Sequence, residues 1–278
     1  MPEIPYSGVD MTEIVAPPHP FDAALTLTSG EPLKGRTQPE YANMVGPFGG
    51  MTAATLVRVI EQHPDRLGNP LALTVNYAGP IADGEFEITS RILRTNQHWQ
   101  LELVQDGTVT TSATAVFGTR RDTWADTELT MPAAPDPEDL PAQGLPDFIA
   151  WARNYDMRFV EGAIPGQDSG ECPESTSTVW VRDTPARPLD FPSLTAMTDV
   201  FYPRVFLRRG RYMAAGTVSL TVYFHATAEQ LDAVGADHVL GTARAHRFTR
   251  GYFDQAAQLW SRDGSLLATS HQLVYFKD

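Results

Sequence analysis

Gly49-Gly50-Met51-Thr52-Ala53-Ala54-Thr55-Leu56-Val57-Arg58-Val59-Ile60 is the stretch that decides the fold. Its apolar residues Met51, Ala54, Leu56, Val57 and Ile60 fall mostly three and four apart, the period of a helix with one face on a core. Two glycines open it. His63-Pro64 stops it, because the residue before a proline is pushed out of the α region. The spacing predicts a helix from Gly49 to about Gln62.

Strand patterns surround it. Phe21 to Thr28 reads as a strand stopped by Ser29-Gly30. Leu71 to Tyr77 lies between Asn69-Pro70 and Gly79-Pro80. Glu85 to Leu93 places Phe86, Ile88 and Ile92 on one face, and Trp99, Leu101 and Leu103 alternate after it. Asp106-Gly107 is a hairpin signal leading into Val109 to Phe117. A strand, a helix and four strands make a first unit over residues 1–121, its first 20 residues an irregular lead-in. Residues 122–147 are rich in proline and acid and read as a linker, with a long surface loop as the alternative. The second unit spans 148–278. Phe148 to Phe159 suggests a short helix and a strand, Gly162 to Glu174 a loop, and Thr176 to Arg182 a strand. A second helix is expected from Ser193 as N-cap, ended or kinked by Pro203.

The second unit repeats the first. Met51-Thr52 recurs as Met197-Thr198, and Leu73-Thr74-Val75 as Leu220-Thr221-Val222, at offsets of 146 and 147. Asp106-Gly107 recurs as Asp263-Gly264 at 157, and Thr111-Ser112 as Thr269-Ser270 at 158. The jump of ten predicts an insertion near Glu229 to His238. Several matches in one order argue for internal duplication.

Bulk properties narrow the function. The 278-residue chain carries a net charge of −13, which argues against nucleic acid or an anionic membrane as main partner. A small anionic ligand on a local group of arginines stays open. The single cysteine, Cys172, excludes an internal disulfide and a cysteine-based zinc site. The first twenty residues show no signal-peptide pattern, and no apolar run approaches about 20 residues. The expectation is a cytoplasmic protein with no membrane span.

The chain resembles the type II acyl-CoA thioesterase family. The resemblance rests on Phe48-Gly49-Gly50, on Thr198-Asp199, on Gly216 through His225, and on Asp263-Gly264 through Ser270-His271-Gln272. It covers nearly the whole chain apart from the lead-in and linker. It implies an α+β tandem (double) hotdog, two curved antiparallel sheets each wrapped around a central helix. It also implies hydrolysis of an acyl-CoA substrate without metal or bound cofactor, by a site that maps onto Asp199, Thr217 and Gln272. Two departures stand out. Ser219-Leu220 replaces the Asp-His of the best-known members, and Met51 sits where a Gln usually follows the two glycines.

The repeat adds an argument of its own. By the local offsets Asp199 corresponds to Ala53, Thr217 to Pro70 and Gln272 to Thr114. One half thus holds a polar set that the other lacks. An ionised Asp199 can take a proton from water, Thr217 and Gln272 can orient that water, and the backbone N–H groups of Gly49, Gly50 and Met51 can hold a developing oxyanion at a helix N-terminus. Each residue also has a plainer reading: Asp199 as a solvated helix carboxylate, Gln272 as a strand amide bonded to backbone, Thr217 as a good β-former, Gly49-Gly50 as close helix packing. Arg204, Arg208, Arg209 and Arg211, with Arg94, Arg120 and Arg121, are candidate phosphate partners or solvated charges, and none is assigned.

No nucleophile elbow, P-loop or dinucleotide fingerprint occurs, and the seven histidines include no H-x-x-x-H pair. His271 adjoins Gln272 but faces the other side of its strand. The reading is an acyl-CoA thioesterase. Open alternatives are a hydratase or dehydratase on acyl-CoA, and a catalytically decayed hotdog protein that binds an acyl thioester or a protein partner. Curved sheets with exposed edges commonly pair, so a homo-oligomer is also open.

Overall fold

The computed structural model describes residues 17–95, 97–143 and 149–278. The first half runs α1 (Pro20–Ala24), β1 (Leu33–Arg36), α2 (Gly49–Glu61), β2 (Asn69–Tyr77), β3 (Glu85–Arg94), β4 (His98–Gln105) and β5 (Thr108–Gly118). The second half runs β6 (Tyr155–Glu161), β7 (Ser177–Asp183), α3 (Phe191–Met197), α4 (Arg204–Arg209), β8 (Ala214–Phe224), α5 (Ala228–Val234), β9 (Val239–Arg244), β10 (Phe248–Thr249), β11 (Tyr252–Trp260) and β12 (Leu266–Lys277). Most of the expected lead-in, together with Phe148, lies outside the described residues.

The two curved sheets of a double hotdog are joined edge to edge. Twelve strands form one antiparallel sheet in the order β1-β3-β4-β5-β2-β8-β12-β11-β9-β7-β6, with β10 attached to β11. Read outward from the β2–β8 seam, β5, β4, β3 and β1 on one side match β12, β11, β9 and β7 on the other. The duplicated tripeptides meet at that seam. Leu73 faces Val222, Thr74 faces Thr221 and Val75 faces Leu220. The hydroxyls of Thr74 and Thr221 are 3.1 Å apart, so a pseudo-two-fold axis passes between two residues related by the repeat itself.

Helix α2 is the central helix of the first half. Ten of its thirteen residues are buried, as expected for a helix that a sheet wraps. It packs directly on α3. Gly50 makes that possible: a Cβ there would sit 2.6 Å from the Ala196 carbonyl oxygen and from the Phe48 ring. Ala196 is the residue 146 positions on, so the helices, like the strands, touch across the pseudo-axis. The insertion predicted near Glu229 to His238 is α5, closed by a capping box between Thr227 and Gln230.

Three expectations are corrected. Phe21 to Thr28 is not a strand. Pro20 and the His19 side chain, which accepts from the Phe21 N–H, start α1 instead, and Phe21, Ala24 and Leu25 bury at helical spacing. The first strand is β1. The second helix is capped by Asp190, whose carboxylate accepts from the Ser193 N–H at 2.8 Å, with Pro192 inside its first turn. It ends at Met197, and Pro203 heads α4 rather than ending α3. Residues 131–143 pack on the second half: Trp180 donates its indole N–H to the Pro135 carbonyl, and Met131, Ala134 and Leu140 cover Trp180, Leu240 and Trp260.

Candidate active site

Asp199 lies in the turn just beyond α3, its N–H closing onto the Ala196 carbonyl at 3.0 Å. The turn aims its carboxylate at the opening of α2. A Cβ on Gly49 would sit 2.8 Å from Asp199 Oδ2, so a glycine there lets the carboxylate rest against the opening of α2. The Gly50 N–H lies close enough to favour the ionised carboxylate, as a helix N-terminus should.

Gln272 faces inward from β12 and is 4% exposed. Its Nε2 donates to Asp199 Oδ1 at 2.8 Å, and its Oε1 accepts from Thr217 Oγ1 at 3.2 Å. Thr217 reaches this face through a β-bulge. Leu220, Val222 and Phe224 are the buried residues of β8, so simple alternation would turn Thr217 outward. Leu273 faces Ser219 but Val274 faces Thr217, which leaves Val218 unpaired and rotates Thr217 inward. The three side chains inferred from the sequence thus form one hydrogen-bonded row, Thr217 to Gln272 to Asp199.

The first half has the same backbone without the chemistry. Pro70 faces Phe117 and Ala72 faces Val116, so the bulge recurs at Leu71. The strand pairing corrects the offset in this strand from 158 to 157, so Thr269 matches Ser112 rather than Thr111. Leu73 faces Ala115, and its repeat Leu220 faces Gln272, so Gln272 matches Ala115 and not Thr114, which points outward. Ala53, Pro70 and Ala115 leave the first half with no polar row.

Burial pushes the Asp199 carboxyl up to about 7, against the Gln272 and Gly50 N–H donors, which both favour ionisation. The row borders a cleft of about 820 Å³, open solvent included. Phe48, Trp151, Phe201, Phe206 and Val274 give it an apolar wall. Phe48 stacks on Trp151 at 4.2 Å, which ties the start of α2 to the segment entering the second half.

Family models fit both halves. The N-terminal domain model of acyl-CoA thioesterase matches residues 38–118 and the C-terminal domain model residues 129–276. The chain belongs to the acyl-CoA thioesterase family. It is similar to a hot dog-fold protein of unknown function from Alicyclobacillus acidocaldarius, with 46% identity over 94% of this chain and 99% of that one, at a TM-score of 0.90. A proposed thioesterase II from Thermobifida fusca shares the fold at 20% identity and TM-score 0.79, over 93% and 98% of the two chains. The tesB protein of Mycobacterium avium subspecies paratuberculosis does so at 20% and 0.74, over the same shares. No curated protein matches.

Sequence reasoning did not single out two residues that lie beside this row. Tyr77 donates its hydroxyl to the Gly49 carbonyl at 2.9 Å, beneath Asp199. Burial pushes its phenol well above the usual range, and the Asp199 charge acts in the same sense. Gln255 lines the cleft and is held by Arg204, whose Nε donates to its Oε1 at 3.2 Å. Only the alternation of β2 and β11 hinted that either side chain faces inward.

Arg204 itself is wholly buried. It donates to the Tyr202 and Ser175 carbonyls and to Ser177 Oγ, and lies over the Tyr202 ring at 4.2 Å. Burial lowers it to about 10. It is a pillar behind the cleft and cannot meet a phosphate. Arg209 and Arg211 pair with Asp278. No helix among the described residues is long and apolar enough to cross a membrane.

Proposed function

We propose that the chain hydrolyses an acyl-CoA thioester to the free acid and CoA, with Asp199 as general base. The hydrogen-bonded row from Thr217 through Gln272 to Asp199, opening on an apolar cleft, carries this reading. Thr217 fixes the carboxamide by donating to its oxygen, so the amide N–H faces Asp199 and steadies its ionised form. Asp199 takes a proton from water, the hydroxide oxygen bonds to the thioester carbon, and the C–S bond then breaks. The CoA sulfur leaves with the proton as a thiol.

The opening of α2 supplies the electrostatic partner. The Met51 N–H is committed to the Phe48 carbonyl at 3.0 Å, and the Gly50 N–H faces Asp199. Of the three donors expected from the sequence, Gly49 therefore meets the thioester oxygen, since the first N–H of a helix has no partner within it. The acyl chain lies along Phe48, Trp151, Phe201 and Phe206.

A hydrolysis assay that detects free CoA, run over acyl lengths, tests the reading. Turnover with at least one length supports it. Tight acyl-CoA binding with no CoA release at any length favours the binding protein instead.

A further inference from the structure

We propose that His246, Asp254 and His271 form a binding site for one divalent transition-metal ion of the zinc type, on the face of the sheet opposite the cleft. Asp254 on β11 and His271 on β12 are diagonal neighbours, since Ala256 faces His271 and Asp254 faces Leu273. His246 comes from the turn between β9 and β10. Its Nδ1 is 2.5 Å from Asp254 Oδ2, and His271 Nε2 is 3.1 Å from the same oxygen. The three donor atoms all lie within 4.8 Å of one another.

The carboxylate is fixed from behind. Asp254 Oδ1 accepts from the backbone N–H groups of His246 at 3.1 Å and Arg247 at 2.9 Å. That support orients one oxygen toward the two imidazoles, as outer partners do for metal ligands. Two imidazole nitrogens and one carboxylate oxygen suit Zn2+, Co2+ or Ni2+ rather than Mg2+ or Ca2+. Tetrahedral bonds of about 2.1 Å place ligand atoms roughly 3.4 Å apart, within reach of small side-chain rotations from the present separations. Each imidazole would bind through the nitrogen now facing Oδ2 and carry its proton on the other. The histidine side chains are 51% and 57% exposed, so the ion has free access and its fourth position faces water.

The site is separate from the cleft, because His271 and Gln272 are consecutive on one strand and face opposite ways. Its ion would clip β12 and β11 to the turn that leads into β10. Phe248 of β10 packs on Phe253, 5.2 Å between ring centres, behind the cleft wall.

The test uses untagged protein stripped with chelator and titrated with Zn2+ by calorimetry, and with Co2+ by visible absorption. The expected result is saturation at one ion per chain, no competition from excess Mg2+, and affinity at least ~10-fold weaker in H246A, in H271A and in D254N. Both histidines are exposed, so circular-dichroism melts of H246A and H271A should match the parent and separate ligand loss from unfolding. No saturable site for either ion, or unchanged affinity in the H246A/H271A double variant, would overturn the proposal.

Discussion

Gln272 Nε2 lies 2.8 Å from Asp199 Oδ1, and this contact joins the last strand of the chain to the turn that faces the opening of the first half's helix. It favours the ionised form of a buried carboxylate, the form a general base requires. Burial alone would push Asp199 further from ionisation than about 7.

The contact predicts a pH profile. kcat/KM should rise with pH through about 7 as Asp199 loses its proton. Gln272→Leu removes a donor that lowers that value, so the rise should move to higher pH and the plateau should fall. A Gln272→Leu profile superimposable on the parent's would show that the amide does not tune Asp199.

Thr217→Val keeps the shape and removes the hydroxyl that orients Gln272. One neutral hydrogen bond is worth about 0.5–1.5 kcal/mol, so a fall in kcat of roughly 2- to 12-fold is expected, with KM little changed. A wholly unaffected kcat would make Thr217 a β-former only.

The two glycines should separate. Gly50→Ala drives a Cβ onto backbone at Ala196, where nothing flexible can yield, and should cost about 1–3 kcal/mol in urea unfolding. Gly49→Ala meets the end of the Asp199 side chain, which can swing away. It should leave the midpoint nearly unchanged and lower kcat. Equal effects of both variants on stability would contradict the placement of Asp199 against Gly49.

Arg204→Met should destabilise without acting through CoA. It leaves Ser177 Oγ and Gln255 Oε1 without their buried donor. Each orphaned group costs about 1–3 kcal/mol. Thermal melting should fall clearly while KM for acyl-CoA in the surviving folded protein stays close to the parent's. A raised KM at unchanged stability would return Arg204 to the phosphate candidates.

Asp199 also sets a stability trend. Its folded pKa is raised, so the folded state holds its proton where the unfolded chain has lost it, and stability falls as pH rises from about 4 to about 7. Asp199→Asn removes that loss. Its melting temperature relative to the parent should climb across this window and level off above it. A difference independent of pH would argue against a buried, proton-binding Asp199.

Much of this was legible in the sequence. The period of Gly49 to Ile60, the hairpin signals and the repeats of Met-Thr, Leu-Thr-Val and Asp-Gly are local patterns, and the duplicated Leu-Thr-Val tripeptides lie across the seam from one another. The resemblance placed Asp199, Thr217 and Gln272. Where reading failed, contacts distant in sequence decided. Phe21 to Thr28 alternates like a strand, but Pro20 and burial at helical spacing make Phe21 to Ala24 a helix. Ser193 is a good cap by residue type, yet Asp190 takes that place and Pro192 fits within the first turn behind it. The match of Gln272 to Thr114 slipped by one residue, enough to reverse a side chain on a strand. Neither the bulge at Val218 nor the Tyr77 bond to Gly49 has a sequence signature, and His246 and His271 meet only through strand pairing.

The central claim is that Asp199 is the base for thioester hydrolysis. Free-CoA release by the parent and by Asp199→Asn, at saturating acyl-CoA and pH 8 with both proteins folded by circular dichroism, tests it most directly. The account predicts a loss in kcat of about 10²- to 10⁴-fold, the usual range for a removed general base. An Asp199→Asn protein that releases CoA at the parent's rate would contradict it.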